Sequence, residues 1–342
     1  MTEESLRKRI FSSYSGPDSP PLNDLAAELL RAQNASWPGL AEAYRALDAV
    51  EIREVACAGF AVKLQYNPRR ITSSGARTDP ESVKKRRCFL CIGHLPEEQK
   101  GIIYRGSFLV LINPAPILTP HYTIACIHHE PQSIERSLDI FLSLARDFGP
   151  DMDVFYNGPQ CGASAPDHLH FQVVPSGALP VEKETPPYGR RSLLLRRDGV
   201  EISRAAGLGR EIVVFEGNNP DSMAHTLRKF ISVMECRGSL REPMLNMIST
   251  YSASGWRVLL FPRGKHRPSS FYSEGEENIL VSPAALDMAG LIITPRRKDF
   301  ETMNAGNIQS MFREVSVEEK SIANWWNLFK KNMGGRRKTK SG

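Results

Sequence analysis

The sequence predicts an α+β fold built from two similar halves, and three observations carry that reading. Short runs rich in β-branched and aromatic residues occur on both sides of the chain centre. Each set is interrupted by one long amphipathic stretch, Gln132–Phe148 and then Asp221–Glu235. Between the sets lies Gly177–Arg190, whose Pro180, Pro186, Pro187 and Gly189 mark a linker. The same order of strands and one helix on either side points to a duplication. At 342 residues the chain can bury one large core or two moderate ones.

Taken in order, Ser15 to Pro21 is a Pro/Ser/Gly segment, and Leu25, Leu29 and Leu30 recur at helical spacing through Leu22–Gln33, with Asn23 or Asp24 as a cap. Ala56–Leu64, Phe108–Asn113 and His121–Ile127 read as strands. Ile134, Leu138, Phe141, Leu142 and Ala145 form the apolar stripe of the Gln132–Phe148 helix. Val154–Tyr156 and Leu169–Val174 complete at least four strands around it. After the linker come strand Glu211–Glu216, helix Asp221–Glu235, strands Met244–Tyr251 and Arg257–Pro262, and a strand at Leu291–Thr294. Trp325 and Trp326 would pack a last helix onto the body.

Chemistry concentrates in Asn157–Gln172. Side chains alternate along a strand, so His168, His170 and Gln172 share one face while Leu169, Phe171 and Val173 point into a core. Upstream, Asn157-Gly158-Pro159-Gln160-Cys161-Gly162-Ala163-Ser164 offers small residues whose backbone N–H groups can approach an anion, with Ser164 adding a hydroxyl. An isolated H-x-H is as readily a solvated face or a structural metal pair as an active site; the adjoining loop and glutamine favour an active site in which a histidine attacks phosphorus. Cys88-Phe89-Leu90-Cys91 has the spacing for two thiolates on one metal, with His94, His128, His129 and His168 available to complete a tetrahedral set.

These elements together resemble the histidine-triad-like superfamily in its transferase branch: galactose-1-phosphate uridylyltransferase, the GDP-hexose phosphorylases and diadenosine tetraphosphate phosphorylase. The resemblance covers most of residues 50–320. It implies a duplicated fold of two antiparallel sheets with packed helices: an N-terminal extension (1–49), a catalytic half (50–180), a degenerate substrate-binding half (181–320) and a C-terminal helix end with a flexible tail (321–342). Only the first half contains H-x-H-x-Q. By the same resemblance His170 is the nucleophile, Gln172 contacts the phosphoryl group, and Cys88, Cys91, His129 and His168 hold a structural zinc, with His94 and His128 as alternatives to His129. Asn67-Pro68-Arg69-Arg70 resembles an N-P-x-R segment, making Arg69 or Arg70 a phosphate fork. Asn113-Pro114-Ala115-Pro116 resembles a loop that contacts nucleobase and ribose. Asn157, Gly162 and Ser164 are the loop's substrate-binding candidates. Lys265 and His266, in the basic run Arg263–Arg267, are candidates for a second phosphate; Arg86 and Arg87 read as surface charges. One departure stands out: Asp167 intervenes between Pro166 and His168, so the loop must bulge by a residue.

The net charge of +6 is matched in number by Lys330, Lys331, Arg336, Arg337, Lys338 and Lys340, so the body is balanced and nucleic acid is not the expected partner. Six scattered cysteines fit thiols and a metal better than disulfides. There is no long apolar run, and Met1–Ser5 leads into no signal-like segment, so the expectation is a cytoplasmic protein without a membrane span. The functional expectation is a nucleotidyltransferase or phosphorylase acting on an NDP-sugar or dinucleoside polyphosphate, with phosphate or a sugar phosphate as acceptor and a homodimer as one possible assembly. The competing readings are a histidine-triad hydrolase and a zinc-stabilised nucleotide sensor.

Overall fold

The computed structural model describes residues 6–75, 78–185, 191–236 and 242–334. Met1–Ser5, Arg336, Arg337, Lys338 and Lys340 of the tail, and Pro186, Pro187, Gly189 and Arg190 of the linker fall outside them.

Fourteen strands are described: β1 (Ile10–Tyr14), β2 (Glu51–Cys57), β3 (Phe60–Tyr66), β4 (Gly101–Tyr104), β5 (Phe108–Ile112), β6 (Tyr122–Cys126), β7 (Met152–Asn157), β8 (His170–Pro175), β9 (Arg191–Arg197), β10 (Val200–Ala205), β11 (Ile212–Gly217), β12 (Leu245–Ser252), β13 (Gly255–Pro262) and β14 (Leu291–Thr294). The longer helices are α1 (Leu22–Ser36), α2 (Pro38–Arg45), α3 (Leu138–Phe148), α4 (Pro220–Ile231), α5 (Ala305–Val315) and α6 (Glu319–Gly334).

The duplication is visible in the strand order. The first half runs β4-β5-β6, then α3, then β7 and β8, and its strands lie side by side as β4-β5-β6-β8-β7. The second runs β9-β10-β11, then α4, then β12 and β13, lying as β9-β10-β11-β13-β12. Each path is a meander, a helix, and a return pair whose second strand lies against the meander. The halves meet where β7 pairs antiparallel with β12, placing Asn157 opposite Asn246. One 11-stranded sheet therefore spans both, with β1 added parallel to β4 at one rim. The second sheet, of three strands, has the order β14-β3-β2 and draws on both ends of the chain.

The large sheet separates two cores. Helices α1, α3, α4 and α6 cover one face, where Phe141 and Phe148 of α3 pack with Leu169, Phe171 and Val173. Trp325 and Trp326 of α6 are buried there. The small sheet and α5 cover much of the other face through Val62, Leu64, Phe155, Ile292 and Phe312. His170 and Gln172 point to this second side, the side that holds the cavity.

Several elements differ from the sequence reading. Ala56–Leu64 is not one strand but the middle of the β2–β3 hairpin, reversed at Gly59, whose φ of 90° suits glycine. The helix expected from Gln132 begins at Leu138, because the preceding residues are tied by hydrogen bonds to other parts of the fold. The helix expected to reach Glu235 ends at Ile231. His168 is not in the strand: it precedes β8 in a turn closed by its N–H to the Ala165 carbonyl at 3.1 Å.

Candidate active site

Strand β8 lies between β6 and β7, with His170 opposite Ala125 and Gln172 flanked by Thr123 and Phe155. The small Ala125 beside His170 leaves its ring room. His170 Nδ1 lies 2.8 Å from the His168 carbonyl. A carbonyl only accepts, so Nδ1 carries the proton and Nε2 keeps its lone pair. Burial holds His170 down at about 4, which leaves the ring neutral at ordinary pH.

The orientation of Gln172 follows from a second histidine. The Ile117 N–H donates to His121 Nδ1 at 3.2 Å, so His121 Nε2 carries a proton and donates to Gln172 Oε1 at 2.9 Å. Asn113 Nδ2 approaches the same oxygen at 3.4 Å. With Oε1 thus engaged, the Gln172 NH2 group is the end left for an anion. Burial, aided by the nearby Arg70 charge, holds His121 at about 3, so it remains a neutral donor.

The loop from Gly158 to Ser164 is pressed against the second half. A Cβ on Gly158 would stand 2.7 Å from the Leu245 carbonyl oxygen. At Gly162, φ is 92° and a Cβ would meet the Ala284 Cβ at 2.4 Å, so neither the backbone angle nor the space admits a side chain. Asn157 anchors the loop's start: its Oδ1 accepts from Asn246 Nδ2 at 2.9 Å and from the Ala285 N–H at 2.8 Å.

Four potential ligand atoms of Cys88, Cys91, His129 and His168 lie within 4.8 Å of one another. Cys88 Sγ is 3.2 Å from His168 Nδ1, and Cys91 Sγ is 3.2 Å from His129 Nδ1. His168 donates through Nε2 to the Cys126 carbonyl at 2.8 Å, which leaves Nδ1 as a lone pair aimed at the thiols. Burial and the neighbouring Cys88 push the Cys91 thiol up to about 11, a crowding that a bound cation would relieve. The donor set therefore fits a metal ion. His94 is not part of it: its Nδ1 bonds the Cys88 carbonyl at 2.8 Å and its ring borders the cavity. The inserted Asp167 accepts from Arg86 Nη2 at 2.9 Å and stands 3.8 Å from His129 Nε2. Arg86 also reaches the Ser164 carbonyl at 3.1 Å and borders the cavity, so it is no surface charge.

His170, Gln172 and the Gly162–Ser164 end of the loop face a cavity of about 580 Å³, which the cysteine–histidine cluster does not border. Arg70, Asn113, Asn157, Gly162, Ser164, His170, Gln172 and His266 line it. Arg69 and Lys265 do not; they are held outside by ion pairs to Glu42 and Glu314. Arg70 is half-buried and donates to the Ala115 carbonyl at 2.7 Å, while its Nε has no partner. The second half adds His266, Arg267, Ser282 and Asp287 to the wall. Burial raises Asp287 to about 6, against the bonds it accepts from Ala284 and Ile293 N–H. Sequence reading missed Asp287 and the support from His121, and neither has a local signal: the first sits in a short helix, the second at a strand's edge.

Residues 29–175 match a family model described as a domain of unknown function (DUF4922), and residues 183–334 match one described as the GDPGP1-like, C-terminal domain. Comparison with curated protein sequences gives no match. Among solved structures, yeast Ap4A phosphorylase Apa2 is similar at 12% identity and a TM-score of 0.53, covering 82% of this chain and 93% of that one. The same yeast enzyme in complex with Ap4A gives 11% identity, a TM-score of 0.55, and coverage of 85% and 97%. The match extends over both halves, as the repeated strand order requires. The chain thus shares the fold of yeast Ap4A phosphorylase, and its second half matches the GDPGP1-like, C-terminal domain model.

Proposed function

We propose that the chain is a nucleotidyl-transferring phosphorylase that works through a nucleotidyl-histidine on His170, with an NDP-sugar or a dinucleoside polyphosphate as donor. The observation that carries this reading is the neutral His170, its Nδ1–H on the His168 carbonyl and Nε2 left as lone pair, beside a glutamine amide turned toward the same cavity. Nε2 attacks the α-phosphorus; the bond to the leaving phosphate oxygen breaks, and that oxygen takes the electron pair. The His168 carbonyl stabilises the positive charge the ring acquires. The Gln172 NH2 and the loop's N–H groups serve the non-bridging oxygens. Phosphate or a sugar phosphate then attacks the same phosphorus from the opposite side, and the imidazole leaves neutral.

Arg70, Ser164 and His266 are the side chains that meet the remaining phosphates, and a cavity of about 580 Å³ has the capacity for a nucleotide with a second group attached. Zinc suits the four-ligand set, closed by protein donors and so structural. Initial rates measured with UDP-, GDP- and ADP-sugars and with Ap4A, at varied phosphate, test the proposal. Parallel double-reciprocal lines and no turnover without an acceptor are expected; turnover independent of any acceptor would instead support hydrolysis.

A further inference from the structure

Strands β7 and β8 pair from Met152–Pro175 to Phe155–Gln172 and then part, although β7 continues to Asn157 and β8 begins at His170. The chain leaves at Asn157, forms the Gly158–Ser164 loop and the metal-side turn, and returns at His170. Those two residues are therefore the neck of the whole catalytic loop. A single side chain fills the gap between them. Gln132 accepts from the His170 N–H at 2.8 Å and donates through Nε2 to the His170 carbonyl at 3.0 Å and the Asn157 carbonyl at 2.9 Å. Its amide thus stands in for a missing rung of the ladder.

Gln132 is itself buried and held in place. Its N–H donates to the Pro166 carbonyl at 3.2 Å, and the Glu130 carbonyl accepts from the Leu169 N–H at 2.6 Å. Two residues on, the Ile134 N–H donates to Glu242 of the second half at 2.6 Å. The segment from Glu130 to Ile134 is a brace along the return limb of the loop, pinned at its far end by the other half. Gln132 does not border the cavity, so it touches no substrate.

We propose that Gln132 is a positioning residue for phosphoryl transfer, closing the neck of the loop so that His170 and the loop's anion-binding amides keep one fixed spacing. This rests on the transferase reading above. The spacing matters in the transition state, where attacking nitrogen and oxyanion donors must be in register, and much less in holding the donor's base and sugar.

The test compares full-length wild type with Gln132→Met, which keeps the length and loses all three bonds, and Gln132→Glu, which keeps only the acceptor for the His170 N–H. The probe is whichever α-labelled donor among UDP-, GDP- and ADP-sugars and Ap4A labels the wild type. Gln132→Met is expected to slow adduct formation about 100-fold while donor KM stays within about threefold, and Gln132→Glu, whose second carboxylate oxygen would face the Asn157 and His170 carbonyls, to slow it at least as much. In the wild type the His170 amide should exchange slowly with solvent, a measurement that needs no variant to fold. A Gln132→Met rate within about threefold of wild type, a loss carried wholly by KM, or fast exchange at His170 in the wild type would overturn the role. Failure of the wild type to form an adduct with any donor overturns the transferase reading and this role with it; an adduct unaffected by Gln132→Met overturns the role alone.

Discussion

At the residue scale the site depends on hydrogen-bond direction. His170 and His121 are both neutral, and each has its tautomer set by a backbone group, a carbonyl for one and an N–H for the other. The consequence passes to Gln172, whose oxygen is taken by His121. Replacing Gln172 with Glu leaves the His121 contact in place but removes the NH2 and adds negative charge where phosphate must sit. The expected outcome is an unchanged melting temperature with kcat lowered about 100-fold or more, measured at saturating donor. The alternation His170-Phe171-Gln172 makes this face legible in the sequence, because the period of a strand is local. The supports are not legible there. His121 and Gln132 sit 51 and 38 positions from the atoms they hold, and nothing in their own neighbourhoods announces the partner.

At the scale of elements, the Gly158–Ser164 loop is shaped by what lies against it. Gly162→Ala would set a methyl into the Ala284 side chain at a backbone angle that L residues avoid. A loop displacement on the order of 1 Å is expected, and with it a fall in kcat of about 100-fold with little change in overall secondary structure by circular dichroism. Strand β7 carries a second, pH-dependent feature away from the cavity. Burial, with Glu182 alongside, raises Asp153 to about 8, while Ser176 Oγ donates to it at 2.6 Å. The folded state thus keeps a proton that the unfolded chain releases near pH 4. Stability from this group is complete below that pH and is lost progressively up to about pH 8, at no more than about 1.4 kcal/mol per pH unit. Asp153→Asn is accordingly expected to flatten the fall in melting temperature between pH 6 and pH 9; an equally steep fall in the variant would contradict this. Strand β9 escaped sequence reading because Arg191-Ser192-Leu193-Leu194-Leu195-Arg196-Arg197 lacks alternation: β9 is a sheet edge, and its Leu193 is exposed.

At the scale of the molecule, two copies of one strand path are joined edge to edge, and only the first carries H-x-H-x-Q. In the second half β13 occupies the place of β8 and reads Val258-Leu259-Leu260-Phe261, all buried. The repeat order of strands and helix was legible because each unit is local; the joining of the halves into one sheet was not, since β7 and β12 pair across 89 positions. Nor was the composition of the small sheet, which brings β14 from the far end of the chain beside β3. The Cys88–Cys91–His129–His168 donor set draws the chain together over a similar span, from Cys88 to His168. Protein purified without chelator is expected to contain about one zinc per chain, and its removal to lower the melting temperature while leaving a slower, still measurable adduct reaction. Cys88→Ser should reproduce both effects. A metal content near zero in carefully prepared protein would count against the site.

The central claim is that His170 Nε2 becomes bonded to a nucleotide phosphorus. Intact-protein mass spectrometry after mixing with each donor in the absence of an acceptor reads this directly. The account expects one added nucleoside monophosphate per chain, mapped to His170, lost in acid, discharged by phosphate or a sugar phosphate, and absent from His170→Asn. No added mass with any NDP-sugar or dinucleoside polyphosphate, or an adduct that persists in His170→Asn, would contradict it.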